Sequence, residues 1–344
     1  MHEVLNYLLL DKWGIKMQQH LADKNIALDL VRVTEAAALA SARYFGRGDK
    51  EQADQAAVDA MRIAFQGLHI RGTVIIGEGE KDHAPMLYNG EKVGFGDGPE
   101  MDVAVDPVEA TNALAFGYNN SLSVVGLVQK GGMFNPGHSF YCKKIAVGKE
   151  GADVIDIDAP VKDNLIKVAK AIGKPVSELR VFVLLKPRHE KLIRDIRMAG
   201  ARVITHRDGD VAGSILAVNP ICPVDMLMGT GGTPEAVLSC CAIKGSGGQM
   251  LTRLDPQSEE ERKAIIEDGI DIDLVRGVDD IITTDQCYFA ATGISEGELL
   301  NGVRYQGDFA ITHSMTVRGR TGTIRYLQAW HDRKKLAKMS SIDY

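Results

Sequence analysis

The sequence lacks the features of several common protein classes. Its five cysteines include no Cys-x-x-Cys pair and no metal-ligand spacing, which argues against a zinc site or a disulfide framework and favours a reducing compartment. No apolar run approaches the length of a transmembrane helix. The N-terminus shows no basic region followed by a small-residue cleavage site. We therefore predict a cytoplasmic protein that does not span a membrane.

An excess of positive charge is also missing. The formal net charge is −6, from 40 Lys and Arg against 46 Asp and Glu, which argues against binding to nucleic acid. Anionic small molecules stay possible as substrates, because bound metal ions can invert the local charge. The composition, with 45% hydrophobic and 25% charged residues, is typical of a soluble globular protein.

The order of the predicted elements indicates an α/β protein with two α/β subdomains. Residues 1–22 form an N-terminal extension, residues 23–178 an N-terminal α/β subdomain, and residues 179–344 a C-terminal α/β subdomain. Two helices, at residues 27–45 and 50–66, precede a strand at 72–76. From residue 181 strands and helices alternate, and the C-terminal strands have the pattern of an antiparallel sheet.

The stretch M-D-V-A-V-D-P-V-E-A-T-N, residues 101–112, admits two interpretations. A short apolar strand leads into Asp106, and Pro107 suits the first turn of a helix. Asp106 and Glu109 would then lie together at the helix N-terminus. This spacing is that of a capping box, which needs no catalysis, but it also brings two carboxylates and the Thr111 hydroxyl to the end of a buried strand.

Further carboxylates occur at similar places. Asp54 shares a helical face with the apolar residues Val58, Met61 and Phe65, where a carboxylate is costly unless it is paired or metal-bound. The strand at residues 72–76 ends in a turn rich in glycine and acidic residues. The acids that follow this strand, or begin a later helix, are Glu78, Glu80, Asp82 and Glu235. Solvated turns and helix-dipole acids are the simpler explanation for each one alone.

Three consecutive strands end in polar loops, K-P-R-H, D-G-D and G-T-G-G-T-P-E. In open α/β sheets ligands bind beyond the carboxyl ends of the strands. Lys186 and Arg188 suit an anionic group, and Asp208 and Asp210 suit sugar hydroxyls. Tyr141 and Lys50 are further donors. The histidines near these loops are interpreted as satisfied or supporting side chains; they are His83, His189 and His206.

The carboxylates together indicate a metal site. Oxygen ligands without His or Cys clusters suit Mg²⁺ or Mn²⁺ and not zinc. Five carboxylates in one place could not all ionise without metal, since like charges raise one another's pKa. The five are Asp54, Glu78, Asp106, Glu109 and Glu235. Together with the basic and hydroxyl-binding loops they favour metal-assisted hydrolysis of a phosphate ester on a polyol.

Six motifs in the sequence resemble those of a known enzyme family. The run D-P-V-E-A-T, residues 106–111, resembles the D-P-[IL]-[DE]-G-T signature of the lithium-sensitive, metal-dependent sugar phosphatases. Five further motifs resemble class II fructose-1,6-bisphosphatase and occur in the order found in that family. They are G-R-G-D-K-x-x-A-D (46–54), I-G-E-G-E-x-D-x-A-P-M-L-Y (76–88), K-P-R-H (186–189), D-G-D-V-A (208–212) and G-x-G-G-x-P-E (229–235).

The resemblance implies a layered αβαβα fold and hydrolysis of the 1-phosphate of fructose 1,6-bisphosphate by a metal-activated water. It implies that the N-terminal subdomain, residues 23–178, binds metal and that the C-terminal subdomain, residues 179–344, binds the sugar phosphate. It implies two or more Mn²⁺ or Mg²⁺ ions, held by the five carboxylates, and a homo-oligomer, dimer or tetramer. Thr111 and Asp82 would orient or deprotonate the water, with Lys50 and Glu80 in support. The implied substrate residues are Glu109, Ala110, Thr111, Tyr141, Lys186, Pro187, Arg188, Asp208, Gly209, Asp210 and Gly232.

Two departures from the family pattern leave alternatives open. Ala110 stands where the signature usually has glycine, and N-P-G-H-S-F-Y at residues 135–141 differs from the usual A-P-D-M-Y before Tyr141. A methyl group at a position that needs φ > 0 could slow the enzyme or shift its substrate. One alternative is a phosphatase for sedoheptulose 1,7-bisphosphate or another polyol phosphate, and a second is a weakly active sugar-phosphate binder. The pathway, gluconeogenesis or carbon fixation, also stays open.

Overall fold

The computed structural model describes residues 9–10, 16–17, 25–78, 87–339 and 342. Most of the predicted extension at residues 1–22, together with Glu80, Asp82 and His83, lies outside them. The helices are α1 Ile26–Ser41, α2 Lys50–Phe65, α3 Thr111–Ala115, α4 Val161–Ala171, α5 Glu190–Met198, α6 Asp210–Val218, α7 Thr233–Ser246, α8 Glu259–Glu267, α9 Val278–Ile281 and α10 Arg333–Met339.

The strands form two large sheets and one short hairpin. They are β1 Leu9–Leu10, β2 Lys16–Met17, β3 Arg71–Ile76, β4 Lys92–Val93, β5 Glu100–Glu109, β6 Leu122–Gln129, β7 Tyr141–Val147, β8 Arg180–Leu184, β9 Arg202–His206, β10 Met226–Gly232, β11 Gln249–Leu254, β12 Cys287–Gly293, β13 Arg304–Gln306, β14 Phe309–Arg318 and β15 Thr323–Asp332. The larger sheet has the order β13-β14-β12-β6-β5-β3-β4, with β15 paired to β14. The smaller has the order β11-β7-β10-β8-β9.

Alternating burial along the strands explains the layers. In β6, Val124 and Val128 face one core while Val125 and Leu127 face another, as the period of two requires. Helices α1 and α2 pack on the outer face of the larger sheet. Helices α6 and α7 fill the space between the sheets, and α4 and α5 cover the outer face of the smaller one. The predicted αβαβα layering is therefore confirmed.

The two sheets combine strands from both halves of the chain. Strands β12 to β15 return to the larger sheet, and they pair antiparallel as predicted. Strand β7 belongs to the smaller sheet, although it precedes the boundary predicted between residues 178 and 179. That division of the chain stays a prediction. No helix in the described ranges is long and apolar enough to cross a membrane.

Parallel pairing determines where the loops meet. Strands β3 and β5 run parallel in the larger sheet, and β8 runs parallel to both β9 and β10 in the smaller one. The carboxyl ends within each parallel group therefore lie at one edge. The N-terminus of α7 comes directly after β10, between the two sheets. The acidic and basic loops are thus brought to neighbouring sheet edges.

A buried carboxyl group away from these loops makes the free energy of unfolding depend on pH. Glu35 on α1 accepts a hydrogen bond from Thr312 Oγ1 at 3.1 Å, and its Oε1 lies 3.8 Å from His331 Nε2. Burial raises the Glu35 pKa from 4.5 to about 7. The folded state therefore holds this proton more tightly than the unfolded state, so stability is lost as pH rises from about 4.5 to about 7.

We predict that Glu35→Gln reduces this loss. Glutamine can still accept from Thr312 but cannot ionise. Relative to the variant, the wild type should lose roughly 2 kcal/mol of unfolding free energy between about pH 5 and about pH 8. Burial also lowers the pKa of His331, which opposes the trend. Denaturant unfolding at the two pH values measures the difference, and parallel curves for both proteins would contradict the prediction.

Candidate active site

The stretch at residues 101–112 folds differently from the predicted cap. Strand β5 continues through Pro107 to Glu109, and its pairing with β6 is irregular between Asp106 and Glu109. The predicted helix start at Pro107 was wrong. Proline has no N–H to give to the ladder, and an irregularity is where a sheet tolerates it. The helix begins at Thr111 instead, after Ala110 turns the chain in the left-handed conformation, with φ 63° and ψ 50°.

The predicted capping box is absent as well. Asp106 Oδ1 accepts from the Val108 N–H at 3.1 Å, and no side chain caps α3. Glu109 lies in the strand and is 2% exposed. Its Oε1 accepts from the Val211 N–H at 3.0 Å, at the start of α6, while its Oε2 is buried without a hydrogen-bond partner. The interpretation of Asp106 and Glu109 as a capping box is therefore wrong.

The Asp208–Gly209–Asp210 loop packs directly on this turn. A methyl group built on Gly209 would lie 3.1 Å from Glu109 Oε2 and 3.5 Å from the Ala110 Cβ. Gly209 also has φ +93°, which favours glycine at this position. The loop predicted to bind sugar hydroxyls therefore lies against the turn that carries Glu109, Ala110 and Thr111.

Glu235 reaches the same region from the other sheet. Helix α7 begins at Thr233 with Gly232 as its N-cap, and Glu235 lies in its first turn. Like Glu109, it has a buried Oε2 without a hydrogen-bond partner. A methyl group on Gly232 would come within 1.7 Å of that oxygen. The bare α-carbon of Gly232 thus makes room for the carboxylate.

The five predicted acids lie close enough together for their charges to raise one another's pKa values. Burial, followed by Glu78, Glu109, Glu235 and Asp54, raises the pKa of Asp106 well above its ordinary value. Burial, then Asp210, raises the pKa of Glu109 to about 8, and burial also raises that of Glu235. Carboxylates that repel one another in this way need a cation nearby if all of them are to ionise.

Asp54 and Glu78 form the more open side of the group. Burial raises the pKa of Asp54 to about 6, opposed by a hydrogen bond with Thr111 and by the charge of Lys50. The stripe of Val58, Met61 and Phe65 beside it is buried as predicted. Glu78 is more exposed than the other acids, but burial of its carboxyl group, Asp54 and Glu235 act together to raise its pKa to about 7.

The donor set fits a hard divalent cation. All the groups are carboxylate oxygens, and two of those oxygens, on Glu109 and Glu235, are buried with no protein partner. Within the residues that the structure describes, no three His, Cys, Asp or Glu side chains form a ready-made coordination sphere. An ion bound among these acids would have to draw their carboxylates together.

Of the two basic residues, Lys186 contacts the Asp208–Asp210 loop and Arg188 contacts strands β7 and β10. The Lys186 ammonium donates to Asp208 Oδ1, so these two predicted substrate residues pair with each other. The Arg188 guanidinium stacks over the Tyr141 ring at 5.2 Å, and its Nε donates to the Thr230 carbonyl at 3.0 Å. The structure thus brings Tyr141 to Arg188, despite its unusual preceding sequence. Pro187 opens a short 3₁₀ turn between the two cations.

The histidine prediction holds for His189. Its Nδ1 donates to the Leu184 carbonyl at 2.7 Å, and its Nε2 accepts from the Thr230 N–H at 2.8 Å, which requires the neutral ring. Burial lowers its pKa in agreement with that state. His189 therefore ties the end of β8 to β10, and it is a structural side chain.

Sequence reasoning missed Lys144, which is buried on β7 beside the acids. Its Nζ donates to Asp210 Oδ2 at 2.8 Å and to the Gly232 carbonyl at 3.0 Å. A signal was present: the period of two places Lys144 on the same strand face as Cys142 and Ala146, both of which are core residues. A lysine on an apolar face indicates a buried ionic partner.

A cavity of about 1000 Å³ lies elsewhere, and none of the five acids lines it. Its walls include Leu68, Arg71, Met101, Lys130 and Tyr288. The candidate site therefore rests on the convergence of charged groups and not on cavity size.

Comparison with known proteins decides the family. The sequence model of the family described as bacterial fructose-1,6-bisphosphatase, glpX-encoded, matches residues 24–331. The chain belongs to this family. It is 44% identical over 326 residues to fructose-1,6-bisphosphatase 1 class 2 of Escherichia coli strain K12, covering 90% of this chain and 97% of that protein. The class 2 enzyme of Shigella flexneri matches with the same identity and coverage.

Ala110 stands where the sugar-phosphatase signature quoted above has glycine, and its positive φ gives a testable consequence. The backbone already adopts the left-handed conformation that glycine takes freely. We predict that Ala110→Gly changes kcat/KM by no more than about threefold. Stability should rise by at most about 1 kcal/mol, because relief of left-handed strain is partly offset by the entropy of glycine in the unfolded chain.

Steady-state phosphate release and denaturant unfolding check both parts. A hundredfold gain in kcat/KM would show that the methyl group obstructs substrate, and would favour the reading of this chain as a weakly active binder.

Proposed function

We propose that this chain hydrolyses the 1-phosphate of fructose 1,6-bisphosphate, releasing fructose 6-phosphate and phosphate, and needs Mn²⁺ or Mg²⁺ to do so. The observation that carries the proposal is the meeting of five mutually repelling carboxylates with a loop bearing Lys186 and Arg188. The family, and the names of the 44% identical relatives, support the same substrate.

Each group of residues has a role in this proposal. Asp54 and Glu78 would hold one metal ion, and Asp106, Glu109 and Glu235 the other. When bound, the ions would polarise the phosphoryl oxygens and lower the pKa of the attacking water. Thr111, whose hydroxyl donates to the Val108 carbonyl at 2.9 Å and lies beside Asp54, would orient that water. Asp82 has a proposed role in its deprotonation but lies outside the described residues, as does Glu80.

The substrate itself would lie between the acids and the cations. Ala110 and Thr111 would approach the 1-phosphate, and Asp208, Gly209 and Asp210 the sugar hydroxyls. Lys186, Arg188 and Tyr141 would hold the distal phosphate, with Pro187 and Gly232 shaping the walls. Cationic groups placed there would offset the negative charge of a bisphosphate and fix which phosphate meets the metal.

We also propose a cytoplasmic homo-oligomer, a dimer or a tetramer, on the basis of the class of enzyme and the cysteine pattern. Light scattering of the purified protein tests the assembly, and cell fractionation tests the location.

Lys186 provides the test of substrate class. We predict that Lys186→Ala lowers kcat/KM for fructose 1,6-bisphosphate about 10- to 100-fold, the value of one or two charge-assisted hydrogen bonds. A sugar monophosphate lacks the distal group, so its kcat/KM should fall less than about threefold. Lys191→Ala is the matched control, because Lys191 is exposed and its ammonium group pairs with Asp195 on the same helix, α5.

A panel of fructose 1,6-bisphosphate, sedoheptulose 1,7-bisphosphate and inositol and sugar monophosphates, with and without Mn²⁺, measures these ratios. Equal losses on monophosphates and bisphosphates would contradict the role of Lys186. A higher kcat/KM for a polyol monophosphate in the wild type would overturn the proposed substrate.

A further inference from the structure

The Lys144–Asp210 pair is the most deeply buried ion pair beside the candidate site. The Lys144 side chain is 1% exposed and that of Asp210 is 7% exposed. The cavity that borders the pair has a volume of about 10 Å³, room for one water molecule at most. Buried ion pairs add little net stability, because desolvation offsets their attraction. Such a pair beside a reactive site therefore calls for a role other than stability.

Asp210 has the position and chemistry of a sixth acid of the cluster. It raises the pKa of both Glu109 and Glu235, so its carboxylate lies near theirs. The residue after it, Val211, donates its N–H to Glu109. An unpaired Asp210 would be attracted to any divalent cation that those acids hold. Instead, its Oδ2 accepts a hydrogen bond from the Lys144 ammonium group, whose position is fixed.

The backbone around the pair is shaped to keep it in place. A methyl group on Gly231 would lie 1.8 Å from Asp210 Oδ2 and 3.1 Å from Lys144 Nζ, so the pair fits against a bare α-carbon. Lys144 also donates to the Gly232 carbonyl, at the N-cap of the helix that carries Glu235. One ammonium group therefore links the starts of α6 and α7.

We propose that Lys144 is a positioning residue that holds Asp210 out of metal ligation and keeps the Asp208–Asp210 loop in the shape that binds the sugar phosphate. The inference rests on the proposed function, since the loop is the proposed sugar site. Lys144 touches neither the metal ligands' carboxylates nor the reacting atoms in this role. It acts through Asp210 and the Gly232 carbonyl.

The inference predicts a separation between metal binding and substrate binding. In Lys144→Met, the affinity of the metal-free protein for Mn²⁺, measured by calorimetry, should stay equal or rise. The substitution removes the positive charge of Lys144 from the site and leaves the Asp210 carboxylate free to bind Mn²⁺. KM for fructose 1,6-bisphosphate should rise at least about tenfold, a larger change than that in kcat. Asp210→Asn should raise KM similarly, and the double variant should be no worse than either single variant.

Lys143→Met is the matched control, since Lys143 is the next residue on β7 and is exposed. It should leave KM and Mn²⁺ affinity unchanged. A loss of Mn²⁺ affinity in Lys144→Met with KM unchanged would overturn the inference, and so would additive effects of the two substitutions on KM. Kinetic constants that stay at wild-type values while only the melting temperature falls would also overturn it, leaving a structural role alone.

Measurements on the wild type distinguish a failure of the proposed function from a failure of the role proposed for Lys144. A wild-type protein that releases no phosphate from fructose 1,6-bisphosphate with Mn²⁺ would count against the proposed function. An active wild type whose Lys144→Met variant matches it in KM and Mn²⁺ affinity would count against the role of Lys144 alone.

Discussion

Asp106→Asn should nearly abolish phosphate release while making the metal-free protein more stable. The amide keeps an acceptor for the Val108 N–H but cannot supply a carboxylate to a metal ion. Loss of a partner outside the coordination sphere typically costs about 10- to 100-fold, so loss of a direct ligand should cost about 1000-fold or more in kcat. Phosphate release at saturating fructose 1,6-bisphosphate and Mn²⁺ measures this effect.

The gain in stability follows from the raised pKa of Asp106. Because the folded state disfavours the ionised carboxyl group, the metal-free wild type carries a penalty that grows as pH rises. The amide removes that penalty, so the metal-free variant should melt above the wild type near pH 8 and closer to it near pH 5. Added Mn²⁺ should reverse the order, since only the wild type gains the full energy of metal binding.

Asp102→Asn is the control for this pair of effects. Asp102 lies on the same strand, and its Oδ2 accepts from the Gly131 N–H at 2.7 Å, a hydrogen bond that asparagine can also accept. We expect its kcat to match the wild type. An Asp106→Asn variant that retains more than about a tenth of wild-type kcat would contradict the assignment of Asp106 as a ligand.

Gly232→Ala should lower kcat/KM about 100-fold with little change in stability. The new methyl group would lie 1.7 Å from Glu235 Oε2 and 2.8 Å from Oε1, so the carboxylate must move. The end of a long side chain moves easily, and the backbone at Gly232, with φ −66° and ψ 139°, suits alanine. A displacement of about 1 Å at a reacting group can cost about 100-fold in rate.

Gly148→Ala tests whether any glycine near the sheets gives the same result. Its nearest neighbour would be a Glu150 oxygen at 3.6 Å, an ordinary contact, and its φ of −65° also suits alanine. We expect wild-type kcat/KM for this control, and weakened Mn²⁺ binding for Gly232→Ala alone. Wild-type kinetics in Gly232→Ala would show that the position of Glu235 does not matter to the reaction.

The sequence predicted the parts of the site that follow from periodicity and motif order. Asp54 stood out because it interrupts an apolar helical stripe, and the structure buries that stripe as expected. The loops after β8, β9 and β10 were placed together because parallel strands end at one edge. Local patterns and strand direction together were enough to bring these residues into one region.

The parts that were missed depend on tertiary context. A strand that continues through Pro107 requires a partner strand with a compatible irregularity, which the local pattern does not reveal. The glycine of the signature raised a left-handed turn at Ala110 as a possibility, but the local sequence could not predict it because alanine rarely adopts that conformation. Lys144 was overlooked because its partner, Asp210, lies 66 residues away and on another element.

The carboxylate cluster is proposed to act through divalent metal ions, and a metal titration of the depleted protein tests this dependence. Protein depleted of metal is mixed with fructose 1,6-bisphosphate, and phosphate release is followed as Mn²⁺ or Mg²⁺ is added. We predict no release without metal, recovery on addition, a decrease with lithium, and no recovery in Asp106→Asn. Full activity of the wild type in excess EDTA would show that the carboxylate cluster does not act through metal.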